Sequence, residues 1–322
     1  MIEKFKQFSQ LLSRALLCAW LCTSAPSATI LYQACAADLP PLTLAQEMAN
    51  LSNPAYISAP PTAANKTLPI KQLDAALEAL KYDQVDALLA RVRETKVNAN
   101  ALHLWRGLAY WGHQRYEEAG EQFDLCTNFD DAALRRLYII GTTYFKLEEC
   151  DKAIKAVSLA IAKHPARDCY SCRANCYVAI KKYKEAIADF FMAAKLSHKY
   201  RPVFLSRAAN IMRVEKRYSE AIATYSDAMK NTEDNFLVLA LLGRALCYQE
   251  TNKWDAAAKD CTAAINVLNT SYSGDMRMTH LSDGYICRAK SYDHLGKAAL
   301  AKADRQAHEK IGAALANEFL DK

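Results

Sequence analysis

The stretch LYIIGTTYFKLEECDKAIKAVSLAIAKHP, residues 137–165, decides the fold. Read at the 3.6-residue helical period, Leu137, Ile140, Gly141 and Tyr144 share one face, and Ala153, Val157 and Ala160 share a face of a second segment. Pro165 closes the pair, because proline cannot continue a helix beyond its first turn. Neither segment is long enough to be a stable helix alone, and a hairpin of two leaves an apolar face uncovered. Such a unit has to be stacked on others.

The chain supplies them. The alanine near the start of the second segment recurs as Ala119, Ala153, Ala186, Ala221, Ala257 and Ala301, at intervals of 34, 33, 35, 36 and 44 residues. Four residues after each come Phe123, Val157, Phe190, Tyr225, Cys261 and Arg305. Where Gly141 stands in the first segment, the other copies carry Gly107, Ala174, Ala209, Ala245 and Ala289. Three residues on from each are Tyr110, Tyr144, Tyr177, Met212, Tyr248 and Tyr292. A small residue lets two antiparallel helices approach, and a large one a turn away fills the space beside the contact.

These columns resemble the tetratricopeptide repeat (TPR), and the resemblance covers about residues 66–315. It implies an all-α, right-handed α-solenoid of about six to seven helix-turn-helix units. We divide the chain into a degenerate copy at 66–99, marked by Val85 in register 34 residues before Ala119, and full copies at 100–133, 134–166, 167–201, 202–237 and 238–270. An inserted loop at 271–281 absorbs the 44-residue interval, a capping copy follows at 282–315, and 316–322 is a tail. Arg305 and His308, at apolar positions of the pattern, suit a cap with a polar outer face.

Composition agrees with a helical array. Of nine prolines, six lie between Asp38 and Pro69, and only Pro165 and Pro202 lie beyond. The net charge is +6; Lys4, Lys6 and Arg14 against Glu3 account for +2 of it, leaving +4 spread over the rest. That is no clustered basic face, and no nucleic-acid partner is implied. Residues 1–37 read as an export signal: basic residues, then 23 uncharged residues from Ala15 to Ala37, closing on small side chains with cleavage after Ala36 or Ala37. The rival reading is an uncleaved anchor formed by 15–37; either way the array is exported, periplasmic or secreted. Residues 38–65 read as a Pro/Ala-rich linker.

The nine-residue stretch DCYSCRANC, 168–176, holds Cys169, Cys172 and Cys176, a spacing that invites a metal or redox reading. The register places all three on one helix at i, i+3 and i+7. The outer two are then about 10 Å apart along the axis, whereas zinc holds its thiolates at about 2.3 Å. The i,i+3 pair has β-carbons roughly 5–6 Å apart, too far for a bridge. Cys126, Cys150, Cys176, Cys247 and Cys261 also take packing columns, where a thiol serves as a small hydrophobe. Excluding Cys18, Cys22 and Cys35, eight of the 11 cysteines would be carried into an oxidising compartment on export. Bridges between adjacent helices can form there, and the pairing is open.

The chain has no HExxH, no GxSxG and no phosphate-binding glycine loop. Its seven histidines are scattered. No enzyme, cofactor, metal or small-molecule substrate is implied. The resemblance instead implies a concave groove lined by first helices that binds a protein or peptide ligand. Carried over position by position, the groove residues are Trp105, Trp111, Tyr138, Phe145, Asn175, Arg207, Asn210 and Arg213. Asn175 and Asn210 stand at equivalent positions one repeat apart, suited to bonding a peptide backbone. The family's chaperone-tail clamp needs asparagines and lysines at set positions; Arg207 replaces one asparagine and a partnering lysine is absent, so that ligand is not implied. The function expected is a scaffold or adaptor. The alternative is a structural subunit of an envelope assembly, acting through its convex face or the inserted loop.

Overall fold

The computed structural model describes residues 70–92, 98–129, 132, 134–230, 234–272 and 276–320. The leader 1–37 and the linker 38–65 read from the sequence lie outside the described residues. Among the described residues there are fourteen α-helices and no strand. They form seven hairpins: α1 (Ile70–Glu78) with α2 (Tyr82–Leu89), α3 (Ala99–Gly112) with α4 (Tyr116–Asp124), and α5 (Leu134–Lys146) with α6 (Cys150–Lys163). Then come α7 (Arg167–Ala179) with α8 (Tyr183–Lys195), α9 (Arg201–Val214) with α10 (Tyr218–Ala228), α11 (Asp234–Glu250) with α12 (Trp254–Thr270), and α13 (Arg277–His294) with α14 (Ala298–Leu320). Each helix packs on the next in sequence, so the array is an all-α solenoid.

The alanine column is the seam. All six alanines, Ala119 to Ala301, are fully buried, as are Ala174, Ala209, Ala245 and Ala289 in the facing column. The need for a small residue there is direct. A β-carbon added to Gly107 would lie 2.4 Å from Phe123 Cε1, and one on Gly141 would lie 2.2 Å from Val157 Cγ2. The residue four after the alanine therefore fills the space that the small residue leaves, within its own hairpin.

Each hairpin turns through one residue in the left-handed region: Leu80, Gln114, Glu148, Lys181, Lys216, Asn252 and Gly296, at φ between 55° and 70°. The next residue returns a backbone hydrogen bond five positions back, as in Arg115 N–H to Tyr110 O (2.9 Å), Lys182 N–H to Tyr177 O (2.8 Å) and Lys297 N–H to Tyr292 O (2.8 Å). This is the Schellman closure, which satisfies the last carbonyls of the first helix. Glycine usually fills such a position, yet only the last of these turns has one. Second helices then start on acidic first turns, with Glu117 and Glu118, Asp151, Glu185, Glu220 and Asp255 against the helix dipole.

The long interval before the last copy is resolved differently from the expected loop. Residues 277–281 are already helical, so five residues of the insertion belong to α13, which runs to 18 residues; 273–275 of it lie outside the described residues. The reason is burial: His280 and Leu281 are inside, and Leu281 joins Val238, Leu241, Leu268 and Ile311 in one cluster. The last helix runs on to Leu320, five residues past the expected end of the cap, and Ile311 on it covers that extra length.

A second recurring element is electrostatic. Arg173 donates through Nε and Nη2 to both oxygens of Asp189 (2.7 and 2.8 Å) and through Nη1 to Ser158 Oγ of the preceding hairpin (3.0 Å). Arg244 does the same with Asp260 and Ser226, and Arg288 with Asp304 and Thr262. Each clamp ties the two helices of one hairpin and reaches back to its predecessor.

Candidate functional site

First helices form the inner row. α3 packs on α5, α5 on α7, α9 on α11 and α11 on α13, whereas no pair of second helices packs comparably among the described residues. The inner row is where the sequence-derived groove residues fall, and the structure sorts them into two groups.

Trp105 and Trp111 are closed off, at 1% and 2% exposure. Trp111 meets Tyr82 of α2 edge-on, with ring centroids 6.5 Å apart. The Arg136 guanidinium sits 4.4 Å over the Trp105 ring while pairing with Asp74 of α1. The degenerate copy thus covers both indoles, and their assignment to a ligand surface is corrected: they pack the first junction. Leu104 and Leu108 are buried with them. Tyr138 is buried too, at 9% exposure, whereas Phe145 is half-buried.

The remaining four residues come together. Direct packing between α7 and α9 is thinner than at the α3–α5, α5–α7, α9–α11 and α11–α13 junctions, and a long side chain spans it: Arg207 Nη1 on α9 donates to Asn175 Oδ1 on α7 (3.2 Å). Arg207 is itself buried, with its guanidinium 5.9 Å from the Phe190 ring. One turn along α9, Arg213 donates from Nε and Nη2 to Asn210 Oδ1 (3.2 and 2.8 Å). Asn175, Asn210 and Arg213 are half-buried. In both asparagines the carbonyl end is held by an arginine, which orients the amide and presents its NH₂ as the donor end. Chemically this gives two oriented amides at equivalent positions of successive repeats; Phe145 on α5 is half-buried and Leu246 on α11 is 37% exposed.

The sequence reading named these side chains but missed their mutual pairing, since asparagine and arginine 32 residues apart have no local signal. It also missed the Arg–Asp clamps, although their constant separation of 16 residues, with the arginine just before the small residue, was there to be read.

The thiols of the 168–176 stretch occupy interior slots, Cys169 and Cys176 fully buried and Cys172 at 6% exposure. Burial pushes the Cys169 thiol up to about 12, far from a reactive thiolate. Cys287, on α13, is buried as well. Asp83, Asp86 and His113 lie close enough to share an ion, but all three are exposed, and His113 Nε2 is engaged with Asp86 Oδ2 at 2.9 Å. No helix among the described residues is long and apolar enough to cross a membrane.

The hairpins, their small-residue seam and their inner row are those of the TPR fold. No family model and no curated protein matches the chain. Solved structures do. The C-terminal part of a TPR repeat-containing protein from Cytophaga hutchinsonii is similar at a TM-score of 0.58 and 15% identity, over 75% of this chain and 94% of that one. RapI in its apo form is similar at 0.52 and 12%, over 78% and 76%. BtubC from P. vanneervenii is similar at 0.50 and 16%, over 79% and 93%. At these identities the likeness is one of fold.

Proposed function

We propose that the chain is an exported, non-enzymatic scaffold or adaptor that binds a protein or extended peptide along its inner row between α5 and α11. The observation that carries this is the pair Asn175 and Asn210. They are equivalent in successive repeats, half-buried, and each has its carbonyl tied to an arginine. An extended peptide presents backbone carbonyls at regular spacing, and fixed amide donors match them without an ordering cost.

The test has to respect that pairing. An Asn175→Ala change would strip the buried Arg207 of an acceptor and disturb the fold. Asn175→Asp with Asn210→Asp keeps both acceptors and deletes both donors. Partners captured from envelope extract and identified by mass spectrometry supply the peptides. Losing two hydrogen bonds in a desolvated groove, at about 1–3 kcal/mol each, should weaken peptide binding more than tenfold with the thermal midpoint unchanged. Affinity within twofold of wild type in a folded variant would refute the groove reading.

One observation favours the alternative of an outer-face contact. Phe191 and Met192 on the second helix α8 and Leu196 at its C-cap are exposed at 39%, 37% and 43%. Binding that survives the asparagine changes but is lost on Phe191→Glu would establish that face instead.

A further inference from the structure

The junction between the last two hairpins brings two thiols together. Cys261 lies on α12, in the column that holds Phe123, Phe190 and Tyr225 elsewhere, and Cys287 lies on α13. Their Sγ atoms are 2.9 Å apart. Cys261 is fully buried and Cys287 is 8% exposed. The carbonyl of Cys287 is itself anchored, accepting from Gln249 Nε2 at 2.6 Å, and the same amide donates to Ser291 Oγ at 2.9 Å. Both thiols are therefore carried by packed helices and already point at one another. A disulfide has its sulfurs about 2.05 Å apart, so closing the bond asks for an approach of about 0.9 Å, within reach of side-chain rotation.

We infer that Cys261 and Cys287 form an intramolecular disulfide that staples the sixth hairpin to the seventh. The bond forms by exchange with a small-molecule disulfide such as oxidised glutathione. One thiolate attacks the reagent to give a mixed disulfide and expels the first glutathione thiolate. The second protein thiolate then attacks the mixed disulfide and expels the other. The protein thiols lose two protons and two electrons, and the oxidant is reduced to two thiols. The site is closed to reagents once folded: the adjoining Cys287 thiol and burial hold Cys261 well above the ordinary thiol range. Exchange accordingly takes place before α13 docks. The export reading would place the chain among such oxidants, but the inference stands apart from the groove assignment.

The physical role follows from position. The end repeat of a stacked array has one neighbour and frays first. Here that repeat also carries the longest helix, α14, at 23 residues. A covalent link across its single junction restricts the opening of that end.

The test uses the full chain refolded in a buffer of reduced and oxidised glutathione. It is then unfolded in guanidinium with iodoacetamide and digested without reductant. Mass spectrometry should find the Cys261 and Cys287 peptides joined, and chain refolded with excess reductant throughout should show a thermal midpoint about 5–10 °C lower than the oxidised chain. A Cys261→Ala, Cys287→Ala variant should show no such difference between its oxidised and reduced forms. Recovery of Cys261 and Cys287 both carrying the alkyl label, or each bridged to some other cysteine, would overturn the inference whatever the behaviour of the variant.

Discussion

Changing Asp189 to Asn separates a structural clamp from a decorative ion pair. Asp189 takes two charged hydrogen bonds from Arg173, at 2.7 and 2.8 Å, and the two side chains are 8% and 19% exposed. The bond to Asp189 raises the Arg173 pKa further, so the guanidinium stays charged at any working pH. Asp189→Asn thus leaves a mostly buried cation facing a neutral amide that accepts through one oxygen only and turns its NH₂ donors towards the guanidinium, beside the bond to Ser158 Oγ. Breaking a buried pair costs about 3–5 kcal/mol, and the residual exposure of Arg173 argues for the lower end, about 3 kcal/mol. With a urea dependence of about 2 kcal/mol per molar, the unfolding midpoint should fall by about 1.5 M. Equilibrium unfolding in urea, followed by far-UV circular dichroism, reads this directly. A second variant gives the sign of the whole pair. Arg173→Met with Asp189→Leu removes both charges and their desolvation cost together, and should recover to within about 1 kcal/mol of wild type. A midpoint shift below about 0.3 M for Asp189→Asn, on the urea dependence used above, would refute the argument and reduce the clamp to a surface ion pair.

Two other changes should have opposite signs. Lys181→Gly and Gln114→Gly relieve left-handed turns at φ 60° and 61°, and each should raise stability by up to about 1 kcal/mol in the same urea assay. The second concerns pH: His280 is buried, and desolvation lowers its pKa from 6.5. The unfolded chain therefore binds the proton first, and stability should fall as pH drops from about 6.5 towards the lowered folded value. A series of urea midpoints across that window should slope in wild type and flatten in His280→Gln, which has no titrating group at that position.

Much of the architecture was legible because a repeat states its rule several times. The Ala119-to-Ala301 column, with a small residue facing it and a bulky one four positions on, is a steric requirement of two helices in contact. Steric requirements of this local kind appear in the chain as fixed spacings. The two hairpin ends were harder to read. Leu281 and Ile311 show their purpose only in a shared cluster with Leu268, which is why an expected loop became additional helix.

Function residues divide along the same line. The sequence by itself determined that a row of first helices exists and which positions flank its seam, because those positions are set by helical period. Only the tertiary structure decided which of them are covered and which stay open to solvent. Trp111 and Phe145 occupy equivalent positions, four residues after Gly107 and Gly141, yet Tyr82 of α2 packs on the first while the second is half-open. Asn175 and Arg207, or Cys261 and Cys287, are partners only because one hairpin stacks on the next at a particular angle. Local period sets the face of a helix on which a side chain stands. The stacking of neighbours sets what that side chain meets, and no spacing within one repeat records it.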